Sequence, residues 1–138
     1  MAKLTKEQLD SFNKMIQDRL KGRPIAYIVN NREFMGLDFQ VEEGVLIPRG
    51  DTEILVEETL KIIDNDREYD VCDLCCGSGA IGISIAYLRE NTKVDLIDYY
   101  DVPEKVTKRN ITKHNLNSRA TFIKSDLLEE AINQQKKY

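Results

Sequence analysis

The chain has 138 residues, 41% hydrophobic and 32% charged, which is enough apolar material for the core of one domain and too much for a disordered tail. Its 24 acidic residues against 20 basic ones leave a formal charge of -4, which argues against a broad basic surface for phosphate backbones and so against direct nucleic-acid binding. No apolar run approaches the roughly 20 residues of a membrane span, and the opening Met1-Ala2-Lys3-Leu4-Thr5-Lys6 lacks a signal-peptide core, so the expected compartment is the cytoplasm, with no membrane partner.

Thr5-Lys6-Glu7-Gln8 has the form of a capping box, and Leu9, Phe12, Ile16 and Leu20 then recur at helical spacing. The first helix is expected to end at Gly22-Arg23-Pro24, a glycine stop followed by proline. Ile25 to Val29 is β-branched and aromatic, Asn30-Asn31 is a turn signal, and Leu37, Phe39 and Val41 alternate with polar residues, a pattern that predicts a β-hairpin arm over 23–49. After Pro48-Arg49-Gly50 a second helix is expected, capped by Asp51 or Thr52, with Ile54, Leu55, Leu60 and Ile63 buried.

From Tyr69 the rhythm becomes strand, glycine turn, helix, strand, helix, strand. Strands are predicted at Val71–Cys75, Val94–Ile97 and Thr121–Lys124, with helices at Ala80–Leu88 and Val102–His114. The polar end, Glu129 to Tyr138, is expected to be a helix with a frayed tail. This alternation predicts an α/β fold with a parallel sheet, divided into an N-terminal helix (1–22), a hairpin linker (23–49) and a sheet domain (50–138).

The cysteines Cys72, Cys75 and Cys76 sit in one segment, unlike a disulfide framework. With one distant histidine, His114, they offer no metal-ligand set, so reduced thiols at a strand end are the expectation and no metal is predicted. Gly77-Ser78-Gly79-Ala80-Ile81-Gly82 satisfies G-x-G-x-x-G between a strand and a helix, where a ligand can approach the backbone closely and meet free helix N–H groups. Asp98 closes the second strand, where a carboxylate can accept from both ribose hydroxyls. Asp126 closes the third, either to accept from an adenine amine or to cap the following helix. Asp73 adds a carboxylate within the first strand. Three carboxylates at one sheet edge suit a sulfonium donor, S-adenosylmethionine, better than a dinucleotide with its phosphates, although a nicotinamide cofactor shares the glycine turn.

The residues also resemble a known family, the protein-(glutamine-N5) methyltransferases of peptide-chain release factors. The resemblance is carried by Arg23-Pro24-Ile25-Ala26-Tyr27-Ile28, by Glu33-Phe34-Met35-Gly36-Leu37 with Phe39 and Val41, and by Gly44-Val45-Leu46-Ile47-Pro48-Arg49 with Thr52-Glu53. It continues through Asp73 to Ile81, Asp98, Asn110 and Ser125-Asp126-Leu127. It implies a Rossmann-like S-adenosylmethionine-dependent methyltransferase fold, strand order 3-2-1, preceded by a helix and a β-hairpin arm. It also implies methylation of a release-factor glutamine amide. Cys75, Cys76, Gly77, Ser78 and Gly79 would wrap the donor's methionine moiety, Asp98 would hold the ribose, Asp126 and Leu127 would border the adenine, and Phe34 would lie nearby.

Cys75-Cys76 replaces the family's usual Gly-Thr, and Tyr99-Tyr100 its usual Ile-Ser. The family's Asn-Pro-Pro-Tyr motif, which holds the substrate amide, is absent: the three prolines are Pro24, Pro48 and Pro103. A truncated sheet inactive alone is therefore expected, with no catalytic residue assigned and with an exposed first-strand edge open to homodimer pairing. The alternatives are an amino-group methyltransferase of nucleic acid and a non-catalytic cofactor-binding or assembly fragment, with a nicotinamide dehydrogenase behind them.

Overall fold

The computed structural model describes residues 2–138. Helix α1 (Lys6–Leu20) starts with the capping box: Thr5 Oγ1 accepts from Gln8 N at 3.2 Å, and Gln8 Oε1 accepts from Thr5 N at 2.9 Å. The helix forms as its sequence demands, yet it buries no residue. Leu9, Phe12, Ile16 and Leu20 stay exposed, because α1 packs chiefly against the next, short helix.

That short helix is α2 (Ile25–Ile28), where a strand was expected. Pro24 sits at φ -58, preset for a helical start, and its carbonyl accepts from Ile28 N at 3.1 Å. The Tyr27 hydroxyl then donates to Val45 O at 2.6 Å and fixes the turn against the chain after the arm. Tertiary anchoring overrides the β-branched composition here. The hairpin is correspondingly shifted, with β1 (Arg32–Phe34) antiparallel to β2 (Leu37–Phe39) around Met35-Gly36, both at positive φ as a tight hairpin turn requires.

A 3-10 turn (Gly50–Thr52) leads into α3 (Glu53–Ile62). Val56 is fully buried, with Leu60 and Ile63 on the same face, but Ile54 and Leu55 are 61% and 54% exposed, contrary to expectation. Residues 56, 60 and 63 recur at helical spacing toward α4, and 54 and 55 fall outside that face.

The main sheet contains β3 (Tyr69–Leu74), β4 (Thr92–Asp98) and β5 (Ala120–Lys124), all parallel in the order β3-β4-β5. It is crossed by α4 (Ala80–Leu88) and α5 (Asp101–Lys113), and α6 (Glu129–Asn133) comes after the last strand. This is the α/β Rossmann-like arrangement expected, with the predicted strand order. The outer edge of β3 has no partner strand among the described residues. Val94 and Leu96 of β4 lie in the core with Ile83, Ala86 and Ile111. At Gly82 a Cβ would come within 2.9 Å of Asp73, so only glycine lets α4 approach β3 this closely.

Candidate functional site

Parallel strands end together, and the loops leaving them converge at the carboxyl edge of the sheet. Here β3 runs into the Cys75–Gly79 turn, β4 into Asp98-Tyr99-Tyr100 and β5 into Ser125-Asp126-Leu127. Between them, and against Gly44 to Leu46 of the arm, lies an open cavity of about 620 Å³. A smaller one of about 130 Å³ adjoins it and is lined by Phe34, Pro48, Arg49, Thr52 and the turn residues Cys75 to Ser78. Leu46, Cys75 and Gly77 belong to both, so the two form one bent cleft.

Asp98 is held from two sides. Its Oδ2 accepts from Gly77 N at 3.0 Å, and its Oδ1 from Tyr99 N at 2.8 Å. The carboxylate therefore stitches the glycine turn to the end of β4 and does not cap α5, whose N-cap is Tyr100 without a side-chain bond. No atom lies within 4 Å of the space a Gly77 side chain would take, which leaves room for a ligand against the backbone. Asp126 does not cap α6 either. Ser125 Oγ accepts from Glu130 N at 3.0 Å in that role, and Asp126 lines the cavity with a carboxylate that has no hydrogen-bond partner among the described residues. Leu127 beside it is 59% exposed and at φ 49, a conformation that costs a branched residue free energy.

The exposed Cys75 thiol lines both cavities from a backbone at φ 60, where glycine would be unstrained. The Cys76 thiol lies 3.6 Å from the Thr107 hydroxyl, and burial holds its pKa well above the ordinary thiol range, which disfavours the thiolate. Tyr99 and Tyr100 pack edge to face at 5.2 Å and are 56% and 68% exposed, so they stand at the rim and do not fill the cleft. Phe34 is buried, edge to face with Phe39, and forms the floor of the smaller cavity. Two predicted residues, Gly79 and Asp73, line neither cavity. The Gly79 α-carbon faces Ile83, Leu96 and Thr107 in the core.

Asp73 lies beneath the turn, 8% exposed, with Oδ2 accepting from Gly82 N at 2.8 Å. Burial pushes its carboxyl up to about 6, against the Gly82 N–H and with the help of repulsion from Asp98. Asn110, fully buried in α5, donates to Gln40 O at 3.0 Å and Ser78 O at 2.9 Å and accepts from Gln40 N at 2.8 Å. Thr107 Oγ1 donates to Gly77 O at 3.0 Å. Sequence reasoning assigned no role to Asn110 or Thr107. The available signal was a pair of polar residues on the buried stripe of an amphipathic helix.

Residues 50–138 match the model of the methyltransferase small domain. The chain belongs to this family. Among curated relatives it is similar to the release factor glutamine methyltransferase of Clostridium botulinum, 47% identical over 98% of this chain and 48% of that protein. It is also similar to the protein of the same name from Borreliella burgdorferi, 42% identical over 91% of this chain and 44% of that one. This methyltransferase small domain chain thus spans about half the length of the curated relatives it matches. Its fold is shared by the solved structures of TYW2 from P. horikoshii in complex with MeSAdo and from M. jannaschii in complex with AdoMet. The first has TM-score 0.59 and 17% identity, covering 70% of this chain and 35% of that one. The second has TM-score 0.56 and 21% identity, covering 70% and 42%.

Proposed function

We propose that this chain is the donor-binding half of an S-adenosylmethionine-dependent methyltransferase that acts on a glutamine side-chain amide of a peptide-chain release factor. The observation that carries the reading is the bent cleft at the carboxyl edge of the sheet. Asp98 is fixed there by Gly77 and Tyr99, and the partner-free Asp126 carboxylate stands in the same cavity. The residues present fit the donor: a carboxylate for ribose hydroxyls, a second for the adenine amine with Leu127 beside it, and clear space over Gly77. When bound, the donor supplies an electrophilic methyl group on a sulfonium. The chain's own residues bind and orient it, with Phe34 and Pro48 shielding one end of the cleft and the carboxylates of Asp98 and Asp126 lining the other. The names of the curated relatives support glutamine as acceptor and a release factor as protein substrate.

Among the described residues, no asparagine or glutamine that would hold the acceptor amide lines either cavity. We therefore infer that this chain alone binds the donor and transfers little, since orientation of the acceptor carries much of the rate of an in-line displacement. Titration calorimetry with S-adenosylmethionine and S-adenosylhomocysteine tests the first part, with micromolar binding expected for both. No heat with either ligand refutes the donor site. Incubation of labelled donor with a release factor tests the second, and rapid labelling by this chain alone would refute the half-site reading.

A further inference from the structure

The exposed face of α5 carries charge that the donor cleft does not use. Opposite the buried Val106 and Asn110, the residues Lys105, Lys108, Arg109, Thr112 and Lys113 recur on one stripe at helical spacing. Between this stripe and Gln40, which follows β2, lies an open groove of about 610 Å³ lined by Gln40, Lys108, Arg109, Thr112 and Lys113. Three cations and no carboxylate line it, on a chain whose formal charge is -4. Nearby carboxylates leave that charge uncancelled. Glu42 is shared between Lys105 at 2.6 Å and Arg109 at 3.6 Å, Glu104 pairs Lys108 at 2.6 Å, and Lys113 has no ion pair among the described residues. Lys108 and Arg109 are more than half exposed, so these pairs hold them weakly. The backbone of Gln40 is clamped by Asn110, while its side-chain amide has no hydrogen-bond partner among the described residues, so the groove has a fixed wall and free donors.

We infer that this groove docks an acidic segment of the protein substrate, outside the donor cleft. The inference rests on the protein-substrate reading above. From Lys105 to Lys113 the helix rises about 12 Å, which matches an extended segment of about four residues. The groove stands beside the cleft. Gln40 lines one and Gly44 the other, and the stretch of arm between them spans no more than about 14 Å. A protein with its acceptor side chain in the cleft and a footprint of about 800 Å², about 30 Å across, therefore covers both, whereas a small acceptor would not reach the groove. A phosphate backbone is the poorer fit, because a nucleic-acid track neutralises about 6–10 phosphates and this stripe offers only Lys105, Lys108, Arg109 and Lys113 on an acidic chain. Charge of this kind steers encounter with an acidic partner and acts chiefly on the association rate.

Association of this chain with a full-length release factor, followed by interferometry at about 50 and about 200 mM salt, tests this. The triple variant Lys108→Ala, Arg109→Ala, Lys113→Ala should bind about tenfold more weakly at the lower salt, mostly through a slower association rate, and should lose most of the salt dependence of wild type. All three positions are exposed on α5, so the fold is kept. A control that removes the same charge elsewhere, Lys61→Ala, Arg67→Ala, Lys93→Ala, should stay within about twofold of wild type. Hexaglutamate should compete with the release factor for wild type, and an RNA of about 20 nucleotides should not. Unchanged binding in the first triple variant, or equal loss in both, overturns the inference while the protein-substrate reading stands. Competition by the RNA and not by hexaglutamate assigns the groove to phosphate and overturns it too. No association of wild type with the release factor at either salt refutes the protein-substrate reading and the inference with it.

Discussion

Asp73→Asn should stabilise the free protein at neutral pH and remove the Asp73 contribution to its pH dependence between 4 and 7. A solvated aspartate titrates near 3.8, and burial raises Asp73 to about 6. At about 1.4 kcal/mol per tenfold change in proton affinity, keeping this group ionised in the fold costs about 3 kcal/mol. For an acid whose folded-state pKa is raised, the folded chain binds more protons than the unfolded one in this window. Stability therefore rises as pH falls from about 7 to about 4, and the penalty is fully present above 7. Asparagine keeps an oxygen to accept from Gly82 N without the charge, so the gain at pH 7.5 should be about 1–3 kcal/mol after a weaker hydrogen bond is allowed for. Urea unfolding of both proteins at steps from pH 4 to 8 measures it. A difference that stays constant over the range would show that Asp73 is solvated in the folded chain and would refute the reasoning. Asp98→Asn supplies a cross-check: it removes one source of repulsion and should shift the Asp73 midpoint downward.

Asn110→Ala breaks three hydrogen bonds, stranding the buried Ser78 carbonyl and leaving the half-buried backbone groups of Gln40 to water, so a loss of about 2–3 kcal/mol is expected in the same assay, and a loss under about 1 would mean the groups repartner. Cys75→Gly relieves a left-handed backbone at an exposed site and should gain about 0.5–1 kcal/mol by thermal melting; destabilisation would show that the thiol packs more than its exposure suggests. Ser84 is fully buried in α4 with an unpartnered hydroxyl, so Ser84→Ala should be neutral or stabilise by about 1 kcal/mol, and a clear loss would reveal a partner the geometry does not show.

The sheet was legible from its rhythm, in which three short segments rich in apolar residues alternate with helical ones and a glycine turn follows the first. The arm was less so. Ile25 to Val29 has strand composition, and the choice of helix was made by Pro24 and by a hydrogen bond from Tyr27 to a residue far along the chain, Val45. Ile54 and Leu55 were misplaced for a related reason. Composition counts apolar residues on α3, but which of them are covered depends on where α4 lies.

At the site, the charged residues were legible and their supports were not. Asp98 and Asp126 announce themselves by ending strands, whereas the capping alternative for Asp126 could be removed only when Ser125 was seen to bond Glu130 N. Asn110 explains why the arm and the glycine turn, distant in sequence, carry such specific residues together. One buried amide bonds Gln40 on the arm and Ser78 in the turn, so neither segment can shift without exposing backbone groups of the other. The arm is thereby fixed as a wall of the cleft, and it brings Phe34, Pro48, Arg49 and Thr52 to the smaller cavity. The cleft thus has two ends of opposite character. The sheet supplies the acidic end and the arm the basic one.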